Sequence, residues 1–263
     1  MGLDEKLVVW AEKEEYYKEA ESIASHLGVA FYREKSEAPE GRLELIMDSL
    51  GLALSDGDMV LRADLTKMLP RLKKSNLQNE MLVKAARLKG ENRGLNIIDA
   101  TAGFGEDSLL LAAAGNYVTL YEYDSVIAAL LRDGLKRAAK HPELMNIVAR
   151  MSLIEGDSIE AMNNISEENR PDVILLDPMF PERQKSASVK KKFQLLQQIE
   201  SPCAEEGILL DAAIAAKPRK IVIKRPVKGP YLDGKKPNYS YTGKAIRYDC
   251  FAFAVNTDYK EKR

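Results

Sequence analysis

From Leu95 onward, short apolar segments alternate with helical ones. The segments 95–99, 117–122, 151–155, 172–177, 219–224 and 249–255 read as strands, with helices at 106–114, 125–140, 189–199 and 207–216. Several of these strands are apolar at consecutive positions rather than alternate ones, the mark of a strand covered on both faces. Repeated strand–helix units predict an α/β domain with a mostly parallel sheet and helices on both faces. Such a sheet binds ligands beyond the carboxyl ends of its strands, near the point where strand order reverses.

The residues before Leu95 follow another pattern. Strands are expected at 7–10, 29–32, 43–47, 52–54 and 59–61, with a helix over 12–26. This gives a small α+β N-terminal domain over 1–65, a helical connector over 66–94 and the α/β domain over 95–263. The connector carries Lys67, Arg71, Lys73, Lys74, Lys84, Arg87 and Lys89, which is either a solvated helix face or an RNA-facing one.

Bulk properties narrow the function. The net charge of −1 excludes a binder driven by overall positive charge, so any nucleic-acid contact must use local patches. Cys203 and Cys250 are far apart and read as small core residues, in keeping with a reducing cytoplasm. The N-terminus has no basic segment followed by an apolar run, and no apolar stretch nears the roughly 18 residues of a membrane span, so neither a signal peptide nor a membrane partner is expected. His26 and His141 are isolated, and no metal site is expected.

Four of the strand ends carry an acid: Asp99, Glu122, Asp157 just past its strand, and Asp177. After Asp99 the chain turns through Gly103 and Gly105 into a helix opening with Glu106 and Asp107. Glycine lets backbone approach a ligand where a Cβ would clash. Asp99 is placed to accept a bond, direct or through water, from a cationic amino group. Glu122 lies where an acid commonly binds ribose hydroxyls. Asp157, with Ser158 beside it, suits the adenine amino group. Only two glycines are present, fewer than a pyrophosphate cradle needs, and a leading carboxylate suits a cationic ligand. S-adenosylmethionine is therefore favoured over NAD, with a plain structural turn as the bland alternative.

The second motif, Asp177-Pro178-Met179-Phe180, closes the fourth strand. An exocyclic base amine is a weak nucleophile because its lone pair delocalises into the ring. The Asp177 carboxylate and the Pro178 carbonyl are placed to accept its two N–H bonds, and Phe180 to stack on an unstacked base. Catalysis by such a site rests on orientation and electrostatics. Lys185, Lys190 and Lys191 flank this motif as candidate substrate contacts. Lys224 and Arg225 end the fifth strand at the same side of the sheet and join them.

The strings I-I-D-A-T-A-G-F-G-E-D-S, L-L-D-P-M-F-P-x-R-Q-K-S-A-x-V-K-K and V-I-K-R-P together resemble the ribosomal RNA small subunit methyltransferase J family, over a stretch from about Asn96 to Tyr248. The resemblance implies a class I methyltransferase (Rossmann-like) fold and S-adenosylmethionine as methyl donor. It further implies the N2 amine of a guanosine in 16S rRNA, naked or in the small ribosomal subunit, as acceptor. It implies cofactor contacts at Glu106, Asp107, Glu122, Tyr123, Asp157, Ser158 and Asp177. Two departures stand out: Arg71–Glu80 replaces a glycine- and arginine-rich segment, and Glu106 stands where arginine is common. The alternatives are an exocyclic-amine methyltransferase for another RNA or DNA, and a non-catalytic RNA-binding or assembly factor.

Overall fold

The computed structural model of the protein describes residues 2–91, 93–178 and 206–253. These residues form two compact units. One gathers the residues up to Lys67 with Asp124–Asn146; the other takes Met68–Tyr123, the residues from Ile147 to Pro178 and those from Glu206 on.

The first unit is a five-stranded sheet in the order β2-β1-β3-β4-β5: β1 (Leu7–Ala11), β2 (Phe31–Tyr32), β3 (Leu43–Asp48), β4 (Gly51–Ser55) and β5 (Val60–Leu61). Strand β3 alternates buried and half-buried residues, as a strand with one covered face should. The helix Glu14–Leu27 packs on β1 through Ala20, Ala24 and Leu27. The helix Ser125–Ala138 also belongs to this unit, although its place in the chain suggested a crossover helix of the larger sheet. It is capped by Asp124, whose carboxylate accepts from the Val126 and Ile127 amides. It is fastened to β4 by Asp133, which accepts the Leu52 N–H at 3.0 Å. Gly134 is a glycine because a Cβ there would lie 2.7 Å from the Ala63 carbonyl oxygen.

The second unit holds seven strands in the order β11-β12-β10-β9-β6-β7-β8. They are β6 (Asn96–Asp99), β7 (Tyr117–Glu122), β8 (Met151–Glu155), β9 (Val173–Leu176), β10 (Lys220–Pro226), β11 (Tyr239–Thr242) and β12 (Ile246–Ala252). Strands β6 to β10 pair in parallel; β12 and β11 complete the sheet antiparallel. The chain steps outward from β6 through β7 to β8, then returns to the other side of β6 with β9. The order therefore reverses between β6 and β9, which makes their carboxyl ends the ligand crevice.

Register assigns each residue to a face. Ile98, Ile174 and Ile221 are in register, and with Leu176 and Ile223 they meet the helices Ser158–Asn163 and Glu206–Ala215. The opposite parity, Asp99, Leu175 and Val222, faces the helices Met81–Ala86 and Glu106–Ala113, as the Asp99–Ser108 and Lys220–Ala85 hydrogen bonds show. The sheet thus carries helices on both faces. The connector expected to be helical is broken into short turns, Leu69–Leu72, Lys74–Leu77 and Met81–Ala86. Lys73, with ψ of 134°, interrupts it just after Pro70. No helix among the described residues is long and apolar enough to cross a membrane.

Candidate active site

The two sequence motifs close adjacent strands at the reversal point. Asp99 ends β6, and Asp177 follows β9 directly. They are joined through Thr101, whose Oγ1 accepts the Asp177 N–H at 2.7 Å. That bond fixes the Asp177-Pro178 backbone against the glycine turn.

Asp99 does not face the crevice. It is 2% exposed; its Oδ2 accepts the Ser108 hydroxyl at 2.6 Å and its Oδ1 the Thr101 N–H at 3.2 Å. With both oxygens engaged inside the protein, this carboxyl anchors the turn from within, which leaves the route through water, of the two expected, for a ligand amino group. Burial pushes it up to about 7 despite the Ser108 bond, with Asp107 and Asp177 adding repulsion.

Gly103 and Gly105 take φ of +53° and +72°, the left-handed region that favours glycine. No atom lies within 4 Å of where a Gly103 Cβ would stand, so the backbone faces open space there. The Gly103 N–H donates to Glu122 Oε2 at 2.9 Å, so Glu122, 8% exposed, holds the turn from the end of β7. Gly105 caps the helix Glu106–Ala113 with no side chain closing its amides, which leaves a helix start suited to an anionic group. Tyr123 is 76% exposed beside Glu122. Asp157 is exposed at the end of β8 and caps Ser158–Asn163 by accepting the Ile159 N–H, while Ser158 is buried.

The open backbone at Gly103, the uncapped helix start, the exposed tyrosine face and the exposed carboxylate of Asp157 lie at the carboxyl ends of β6, β7 and β8. This set fits S-adenosylmethionine, which presents a carboxylate, a ribose and a flat purine.

Lys224 is the centre of the reaction end. Its Nζ lies 2.6 Å from Asp107 Oδ2 and 2.8 Å from Asp177 Oδ2. Burial opposes its charge, but Asp177 and Asp107 outweigh that and hold it well above the ordinary lysine value. Tyr248, directly across from Lys224 on β12, lies beside the same carboxylates; burial first, then Asp107, raises its phenol. Arg71 is paired with Glu80 by two bonds of 2.8 Å, and its charge also reaches Asp107 and Tyr248. Thr101 and Tyr248 were not singled out as site residues in the sequence. The signals were there: a hydroxyl between the acid and the glycines, and a tyrosine on the strand paired with Lys224.

Arg225 is a correction. Neighbouring residues of a strand point to opposite faces. With Lys224 turned to the crevice, Arg225 is turned into the opposite layer, 1% exposed. There it pairs with Glu206 at 3.1 Å and donates to the Pro230 carbonyl. It shapes the Pro226–Pro230 loop and offers no surface to a substrate. Phe180, Lys185, Lys190 and Lys191, and the helix expected over 189–199, lie outside the described residues.

Comparison with known proteins gives the same reading. The family model described as "Putative SAM-dependent methyltransferase" matches residues 32–253. The ribosomal RNA small subunit methyltransferase J of Thioalkalivibrio sulfidiphilus is 36% identical over 254 residues, covering 94% of this chain and 98% of that protein. Its namesake from Hahella chejuensis is 43% identical over 175 residues, covering 66% of this chain and 65% of its own length. A crystal structure of a SAM-dependent methyltransferase from Neisseria gonorrhoeae aligns with a TM-score of 0.73 at 26% identity, covering 98% of this chain and all of that one. The chain belongs to the ribosomal RNA small subunit methyltransferase J family of S-adenosylmethionine-dependent methyltransferases.

Proposed function

We propose that this protein methylates the exocyclic N2 amine of a guanosine in 16S rRNA, as naked RNA or within the small ribosomal subunit. The observation that carries the proposal is the meeting of Asp177-Pro178 with the glycine turn at the reversal point, tied by Thr101 and bridged by Lys224. The named relatives act on small-subunit ribosomal RNA by their names. We place the protein in the cytoplasm, where that substrate is found.

S-adenosylmethionine, when bound, supplies an electrophilic methyl on a sulfonium. We assign its binding to Gly103, Gly105, Glu106, Asp107, Glu122, Tyr123, Asp157 and Ser158, with Asp177 bordering it. Tyr123 offers a ring face to the purine, Asp157 an acceptor for the purine amine, and Glu122 a carboxylate for the ribose. The protein's work at the acceptor is orientation. Asp177, with its side chain 38% exposed, and the Pro178 carbonyl accept the two N–H bonds of the amine, which turns the nitrogen lone pair away from them. Lys224 fixes the carboxylate that must do this. Phe180 stacks on the base, and Lys185, Lys190 and Lys191 meet phosphates. No strong general base is required, since the methylated amine is acidic and releases its proton afterwards.

The test is transfer of labelled methyl from S-adenosylmethionine to unmodified 16S rRNA, 30S particles, 23S rRNA and DNA. Label confined to 16S rRNA or 30S particles supports the proposal and shows which form is the substrate. Label confined to 23S rRNA or DNA moves the same site to another acceptor; bound cofactor with no label in any of the four refutes the assignment.

A further inference from the structure

We propose that the cleft at the amino end of β10 is a second RNA-binding site, holding a single-stranded part of the RNA whose guanosine is methylated at the other end of that strand; the inference rests on the function proposed above. The cleft has a volume of about 650 Å³, within the range of sites that hold a nucleotide-sized ligand. Its walls carry Lys84, Arg87, Lys89, Tyr239, Tyr241 and Phe253, and no carboxylate among the described residues lines it.

Two further cations at the cleft are already engaged. Arg219 is paired with Glu91 and Asp172. Lys220, 6% exposed, donates to the Ala85 and Arg87 carbonyls and bolts the end of the helix Met81–Ala86 to the sheet. That bolt brings the turn bearing Arg87 and Lys89 to the cleft. Among the described residues, no carboxylate pairs with Lys84, Arg87 or Lys89, so three cations remain for an incoming anion.

The aromatic wall chooses among anions. Tyr239 and Tyr241 lie two residues apart on the edge strand β11 and therefore share a face. Their rings meet edge to face at 5.9 Å, and they stay 41% and 36% exposed, with Phe253 at 37%. Unpaired cations beside exposed ring faces are what an unstacked nucleic-acid strand uses: charge for the backbone and rings for the bases. A simple phosphate would need the cations but not the rings. Lys220 and Lys224 are four residues apart on β10, roughly 13 Å. That straight-line separation equals about four steps of a stacked strand at about 3.4 Å each, so an RNA passing over the helices that cover this face needs more than four nucleotides to join crevice and cleft. The overall charge of −1 makes such a local patch necessary.

The experiment uses the full-length protein and a fluorescein-labelled small-subunit rRNA fragment, with binding followed by anisotropy across a salt series. The double variant Lys84→Gln/Lys89→Gln is expected to weaken binding at least tenfold and to flatten the dependence of log affinity on log salt by about 1.4, two single-strand phosphate contacts. Tyr241→Leu is expected to weaken binding about fivefold with the slope unchanged. Wild-type affinity for S-adenosylmethionine in both variants reports an intact fold. Unchanged RNA affinity and slope in both variants, while wild type still methylates RNA, overturns the cleft alone. A wild type that neither binds nor methylates RNA overturns the proposed function with it. Polyglutamate whose binding weakens in the double variant while RNA binding does not assigns the cleft to an acidic protein and overturns the RNA reading.

Discussion

Lys220 and Lys224 open and nearly close the same strand, face the same side of the sheet, and live in opposite surroundings. Lys224 lies between two carboxylates, which overcome the cost of burial and raise its pKa. Lys220 meets two backbone carbonyls and the Tyr239 ring, with no carboxylate beside it among the described residues, and burial lowers its pKa. A buried charge among neutral dipoles fixes structure; a charge between two anions, one of them over a third exposed, controls where those anions point. The parallel sheet enforces the split. Its carboxyl end gathers the loops that face ligand, and its amino end is free for tethering and for contacts away from the chemistry.

Replacing the anion that Lys224 serves has the largest expected effect. Asp177→Ala should lower the single-turnover transfer rate at least 10³-fold while the dissociation constant for S-adenosylmethionine changes little; near-normal turnover would remove Asp177 from the amine-orienting role. Lys224→Met should come next, about a 10²-fold loss of rate and roughly 2 kcal/mol of stability from two carboxylates left without their shared cation. Lys220→Met should invert that pattern. One buried and one part-buried carbonyl lose their donor, for about 1–3 kcal/mol in urea unfolding, while the rate stays within a few-fold of wild type. Equal rate losses at the two lysines would erase the distinction.

Asp99 sharpens the comparison from the buried side of the crevice. Its folded pKa, near 7, lies above the unfolded value near 3.8. The folded state therefore binds the extra proton between these values, and the stability this contributes is present below pH 4 and lost as pH rises to about 7. Asp99→Asn should remove that part of the pH dependence, up to about 4 kcal/mol between pH 4 and 8. A variant whose stability keeps the wild-type slope would show that the carboxyl does not titrate there. The smallest effect on stability is expected at Thr101→Val, which leaves the Asp177 amide without its acceptor: about 1 kcal/mol, with a rate loss of about tenfold.

Much of this was legible in the chain. Strands β6, β9 and β10 stand where consecutive apolar residues put them, because a strand covered on both faces has little freedom to be anything else; β7 and β8, nearer the edge, alternate instead. Strand β11 was missed: Tyr239–Thr242 buries none of its residues, has no apolar run, and exists as a strand only through its pairing with β12. The helix Ser125–Ala138 was found, but its amphipathic pattern says that a face is covered and not by what. Strand-end position marked both Lys224 and Arg225. Which of the two enters the crevice depends on parity, and parity is set by the partner strands. The inward turn of Asp99 was not legible, because an acid after a strand looks the same in sequence whether it turns outward or inward to Ser108.

The most direct test of the central claim is the position of the transferred methyl. Nucleosides from 16S rRNA methylated by the wild-type protein would be resolved by chromatography and mass spectrometry. The account predicts N2-methylguanosine, because the role proposed for Asp177 and Pro178 is to accept the two N–H bonds of an exocyclic amine. Label on a guanine ring nitrogen or on a ribose oxygen would contradict it.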